Sequence, residues 1–222
     1  MRIALALCAL VFVLPACSVV NKFDYAAPDL GEAMPTHEVI VDQPFDDTWR
    51  ALISKIGQTF FAIDHFEKDS GLLTLTFTAN PLSSVVDGGQ CKVVYDDSSL
   101  RTAQAMWANV HVPATKIRFE GNYADYVDQY LSGTFAGKVN LVVQPEGASR
   151  TRVTVNTRFV VTATAQVNRS GSIVTVNTTW SWNAGDRAVQ VVETSKGGRE
   201  ERIMQSTGYV EREILSAIED IN

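Results

Sequence analysis

The side chains in this sequence that could do chemistry form a small set, and spacing removes most of them. Asp64-His65 has the composition of a general base with an orienting carboxylate. Adjacent residues in a strand point to opposite faces, so this pair is not a dyad by itself. His37, His65 and His111 lack metal-ligand spacing, and no cysteine pair accompanies them, so neither a zinc constellation nor another metal site is implied. Asp87-Gly88-Gly89 is not followed by the periodic helix that a dinucleotide-phosphate loop needs, and a turn with positive φ explains it better. Cys91 stands next to Lys92, whose charge would activate the thiol by lowering its pKa; a partly buried, inert thiol is the plainer reading. No catalytic set emerges, and no cofactor is expected.

One residue is left with a definite chemistry. Cys17 follows a positive start at Arg2, an apolar run of about 11 residues from Ile3 to Val13, and the small residue Ala16, the three-part layout of a secretory signal. The run is too short for a bilayer, which takes roughly 20 residues to cross. Leu14-Pro15-Ala16-Cys17 also resembles the lipobox of bacterial lipoproteins, Leu-x-Ala-Cys. The resemblance implies that the thiol takes a diacylglyceryl group, that residues 1–16 leave as a lipoprotein signal peptide, and that the mature chain starts at a lipidated, palmitate-bearing Cys17. Two or more acyl chains, at about 0.8 kcal/mol per buried methylene, make detachment negligible. The alternative is an ordinary signal peptide with an incidental cysteine, and Cys8 inside the apolar run shows that a cysteine alone proves little. Ser18 after the cysteine, rather than Asp, fits the sorting rule of enteric bacteria for the periplasmic side of the outer membrane.

Composition narrows the partners. Loss of Arg2 with the signal leaves 206 of the 222 residues, with 18 basic against 25 acidic side chains and a net charge of −7. An acidic chain with dispersed Lys and Arg has no electrostatic footprint for nucleic acid or for anionic headgroups, so membrane association has to come from lipid. Once Cys17 is consumed, Cys91 stands alone and no intrachain disulfide is possible.

The elements that must position any site are read from periodicity. Residues 18–35, with Asn21, Pro28, Gly31 and Pro35, have the composition of a flexible linker with an r.m.s. reach of roughly 25 Å. Phe23 and Tyr25 would either dock on the domain or stay solvated, and the solvated state is expected. His37–Val41 reads as a strand. Phe45–Phe60 reads as a helix, with Phe45, Trp49, Leu52, Ile53, Ile56 and Phe60 at helical spacing and Asp46 and Asp47 at its positive end. Phe61–Glu67 and Gly71–Thr78 form a hairpin with one wet face. Residues 80–130 yield only loop punctuation and short strands at Val93–Tyr95 and Lys116–Phe119. Leu131–Gln144, Arg152–Gln166 and Ser172–Trp182 alternate as a three-stranded antiparallel meander, with a short strand at Ala188–Glu193. Ile203, Val210, Ile214, Ile218 and Ile221 then make one stripe of a closing amphipathic helix, capped by Ser206 or Thr207.

That order, together with Pro44-Phe45-Asp46-Asp47-Thr48-Trp49, Gly71-Leu72-Leu73-Thr74-Leu75, Gly121-Asn122-Tyr123-Ala124-Asp125-Tyr126 and Ser206-Thr207-Gly208 before Glu211, is similar to BamC-like helix-grip domains and to related uncharacterised proteobacterial outer-membrane lipoproteins. BamC resembles two such domains in tandem, whereas this chain has room for one. The expected fold class is α+β, an antiparallel β-sheet wrapped against a C-terminal helix with one N-terminal helix. The division is a signal at 1–16, a lipidated N-terminus and linker at 17–35, and a single domain at 36–222. The resemblance implies no catalytic residues. It implies instead a non-catalytic interaction or envelope-assembly module, with outer-membrane assembly or other envelope proteins as partners. The alternative is a periplasmic carrier of an apolar ligand or lipid, held between sheet and closing helix. Phe135, Phe159, Trp180 and Trp182, with Val210 and Ile214 of the helix, would line that pocket or else simply be core, and core is favoured because the helix stripe is large enough to fill the space.

Overall fold

The structure is a computed structural model that describes residues 22–29, 37–96, 104–105, 110–111, 116–169, 172–193 and 199–221. The signal, Cys17 and the rest of the expected linker lie outside the described residues. In chain order the elements are β1 (Lys22–Ala26), β2 (Glu38–Val41), α1 (Phe45–Ile56), β3 (Ala62–Glu67), β4 (Leu72–Phe77), a 3-10 turn at Leu82–Ser84, β5 (Val86–Asp87) and β6 (Gln90–Asp96). There follow β7 (Gln104–Ala105), β8 (Val110–His111), β9 (Lys116–Asn122), α2 (Tyr123–Tyr130), β10 (Thr134–Pro145), β11 (Thr151–Arg169), β12 (Ser172–Asn183), β13 (Arg187–Glu193), β14 (Arg199–Ser206) and α3 (Tyr209–Glu219). The class is α+β, rich in antiparallel sheet, with three helices among the described residues.

The 19-residue β11 is the spine of the largest sheet. Along one edge it pairs with β10 over Thr151–Thr162 and with β8 at Gln166 and Val167; along the other it pairs with β2 over Thr151–Thr154 and with β12 over Arg158–Arg169. β10 continues the sheet to β4 and β3. One face collects the apolar half of each alternation: Leu73, Leu75 and Phe77, then Val139, Leu141 and Val143, then Val153, Val155, Phe159 and Val161, then Trp180 and Trp182, all buried. Helices cover it, because period-2 burial leaves one apolar side that must meet another. α1 lies against β10 and α3, and α3 lies against β2 and β11. Gln43 fastens the two ends of this layer: its Nε2 donates to Ile221 O at 2.7 Å, and its carbonyl accepts from Thr151 Oγ1 at 2.9 Å. Among the described strands there are also two smaller antiparallel sheets, β1-β6-β9 and β13-β14-β5.

Four expectations are corrected. Lys22–Ala26, read as linker, is a strand paired with Gln90–Val94 of β6. In 80–130 the expected short strands at Val93–Tyr95 and Lys116–Phe119 lie within the longer β6 and β9, but the region also holds an unforeseen helix, α2, whose N-cap Asn122 accepts from Ala124 N. Arg199–Ser206 is a strand, so Ile203 belongs to β14 and not to the closing helix. The closing helix starts at Tyr209 behind Gly208, and Ser206 and Thr207 serve its first turn by accepting from Gly208 N and Tyr209 N.

Candidate functional site

The residues proposed as pocket or core belong to one buried hydrophobic cluster, with Phe135 partly buried against it. Phe159 and Trp182 are register partners on β11 and β12, with rings stacked at 5.3 Å. Trp180, opposite Val161, meets Tyr123 of α2 edge-on at 6.3 Å. Phe135 is only partly buried and packs on Phe77 at 5.6 Å. Val210 and Ile214 are buried on α3. α1 and α3 pack on this face, and α2 reaches it through the contact of Tyr123 with Trp180. Among the described residues, five buried polar atoms have no hydrogen-bond partner: Tyr123 OH, Thr157 Oγ1, Trp180 Nε1, Trp182 Nε1 and Glu211 Oε1.

Among the described residues, Glu211 is the buried acid of this layer. Its Oε2 accepts from Ser206 Oγ at 3.0 Å, while Thr157 lies close without making a hydrogen bond to Oε1. Burial raises its pKa, against smaller lowering effects from its own backbone N–H, Ser206, Thr157 and the charge of His37. A carboxyl with a raised native pKa costs stability as pH climbs from the ordinary carboxylate value through the raised one, and costs nothing below both. Glu211→Gln keeps the shape and removes the ionisation. Urea unfolding should show the variant more stable than wild type at pH 8, with the difference disappearing at pH 4.

The most elaborate surface site was not foreseen. Arg202, only 2% exposed, comes from β14 and lies between rings: its guanidinium carbon is 4.4 Å from the Tyr25 centroid, 4.8 Å from that of Phe23 and 5.9 Å from that of Tyr123. Its charge is met by Glu200 at 2.8 Å, and one N–H reaches Glu201 O at 3.3 Å. β1 supplies two of the rings because Phe23 and Tyr25 alternate onto one face. The Tyr25 hydroxyl also accepts from Ile203 N at 3.0 Å and donates to Ile203 O at 3.4 Å. It thereby occupies a ladder position on β14 just past the two residues that pair with β5. Beside the cage runs an open groove of about 500 Å³, lined by Asp24, Glu200, Glu201, Arg202 and the β1 aromatics. A desolvated cation over aromatic faces is worth up to about 2 kcal/mol. Arg202→Met should therefore lower the unfolding free energy by about 2 kcal/mol, and Arg202→Lys, which loses the planar fork, by somewhat less.

The other sequence candidates are accounted for by structure. Cys91 is 3% exposed, and burial pushes its thiol up to about 12, with Arg202 pulling it down by less; Lys92 is turned outward to Glu120 at 2.5 Å. Asp87-Gly88-Gly89 is a turn locked to the start of α2: Asp87 Oδ1 accepts from Gly89 N, Asn122 Oδ1 accepts from Gly88 N, and Gly89 has φ +76°. The Asp64 carboxylate accepts from Lys138 Nζ at 3.1 Å, so its partner within the chain is this lysine. Phe23-x-Tyr25, a two-residue alternation in the supposed linker, was the signal that could have found the cage. No helix among the described residues is long and apolar enough to cross a membrane. No family model matches the chain, and no curated protein or solved structure is similar to it.

Proposed function

We propose that this chain is a lipid-anchored lipoprotein of the outer membrane, facing the periplasm, that works as a non-catalytic interaction or envelope-assembly module. Its body is read as a helix-grip, with the long sheet closing over α3, a reading supported by the burial of Val210 and Ile214 against β2 and β11. The single observation that carries the proposal is the place of β1. Its first residue, Lys22, is five positions after Cys17, and its aromatics are clamped into the body by Arg202. Five residues of extended chain span at most about 17 Å. An acylated Cys17 would thus hold the body close to the bilayer by the end of the small sheet where Lys22 lies opposite Val94 and Lys116 opposite Asp96, rather than on a long leash. Such a fixed stance suits a protein that presents a surface to envelope partners.

The experiment is mild crosslinking in intact envelopes, followed by purification of the tethered chain. Outer-membrane assembly components should be recovered with it, above the background of a Cys17→Ser form; recovery no higher than that background contradicts the proposal. The second reading, a carrier of an apolar ligand or lipid, draws on the unpartnered Trp180 Nε1, Trp182 Nε1 and Tyr123 OH, which could bond a ligand's polar group. Native mass spectrometry showing a co-purified lipid would favour it.

A further inference from the structure

β3 is the edge of the largest sheet, paired only with β4 among the described strands, and all six of its residues are exposed. Its ladder shifts register at Asp64: Ile63 lies opposite Leu75, His65 opposite Thr74 and Phe66 opposite Leu73. Residues directly opposite one another in an antiparallel pair share a side of the sheet. Ile63 and Phe66 therefore point to the side of Leu73 and Leu75, both fully buried, yet they lie beyond the helix layer and are 38% and 63% exposed. Ala62, His65 and Glu67, opposite Thr76, Thr74 and Leu72, take the outer side, and Asp64 joins them by reaching Lys138.

From Ala62 to Glu67 the sides run outer, inner, outer, outer, inner, outer. That order reads the same in both directions, which a regular six-residue strand cannot do. The bulge has re-aimed Phe66 to produce it. Two further exposed rings, Phe60 and Tyr209, stack at 6.0 Å beside the start of the strand and extend the apolar patch.

We propose that a second copy of this chain docks on this edge, β3 against β3 across a two-fold axis. An isologous contact requires a self-complementary surface, and this strand has one. In the register that pairs all six residues, 62 meets 67, 63 meets 66 and 64 meets 65 of the second copy. Ile63 then packs on Phe66 twice on the inner side. Asp64 accepts from the imidazole of His65 twice on the outer side, so the charges complement one another as the apolar groups do. A strand from an unrelated partner would need no such symmetry. This inference is independent of the lipid anchor.

The test is disulfide trapping of the full chain in its envelope. With Ile63→Cys and Phe66→Cys together, mild oxidation should give a reducible dimer on a non-reducing gel, because paired positions fall within the reach of a disulfide. Either single variant places its two thiols about 10 Å apart along the strands, and Ile63→Cys with His65→Cys points them to opposite sides; each should give at least tenfold less. In native mass spectrometry, Phe66→Asp should convert the wild-type dimer to monomer without affecting the fold, since the ring is exposed. A double variant that is present at wild-type level and does not trap, or controls that trap equally well, would overturn the proposal and leave the bulge as a device that discourages edge pairing.

Discussion

Trp180→Ala should remove about 4 kcal/mol of folding free energy, as truncation of a fully buried aromatic does when its surroundings relax only partly. Trp180 is completely inaccessible and sits where β11, β12 and α2 meet, against Tyr123. In a chain of this size the loss should lower the thermal midpoint by about 10 °C. Trp180→Phe makes the contrast informative. It keeps most of the packing and removes an indole N–H that has no partner in the fold. Its cost should stay under about 1.5 kcal/mol, since a buried donor without an acceptor adds nothing to the native state. A loss as large as that of the alanine variant would mean that the N–H is bonded in solution, and would strengthen the ligand-carrier reading.

Gly71→Ala should be damaging although it adds one methyl group. Gly71 closes the β3–β4 turn with φ +67°, and a Cβ built on it would lie 2.0 Å from Val143 O. Gly71 O meanwhile accepts from Val143 N at 2.8 Å, so this close approach is also where β4 joins β10. An L-residue in the left-handed region costs roughly 1–2 kcal/mol, and the collision with backbone forces β4 away from β10 with loss of that hydrogen bond. A total of about 3 kcal/mol is expected from urea unfolding. Gly147, also at positive φ but with open space around it, is the control: Gly147→Ala should cost only the conformational part, about 1 kcal/mol.

The parts of this fold that could be read from sequence are those whose partners are near in the chain. α1, the β3–β4 hairpin and the β10–β12 meander carry strong periodicity and pair with neighbours, so alternation and turn residues sufficed. β1 could not be found that way. Its partner β6 lies more than sixty residues further on, and Asn21 and Pro28 gave the segment the look of linker. β14 begins Arg199-Glu200-Glu201-Arg202, a run that reads as solvated charge. What inverts that reading is a buried guanidinium held by aromatic rings from distant segments. Ile203 was drawn into the helix stripe because its spacing from Val210 equals two helical turns, a coincidence across the break at Gly208. α2 has only eight residues, too few to show a period, although Asn122 with Asp125 in the first turn was a legible cap signal. The contact of Trp180 with Tyr123 depends on α2, which the sequence did not reveal.

The proposed anchoring at the outer membrane through Cys17, with β1 steadying the body, can be tested directly. The direct measurement is labelled palmitate incorporation, with fractionation of wild type and Cys17→Ser side by side. Label on the wild-type chain, none on the variant, and release of the variant from the membrane fraction into the soluble periplasm are the predicted results. A chain that takes no label, or a Cys17→Ser form that matures and stays bound to envelopes, would contradict it.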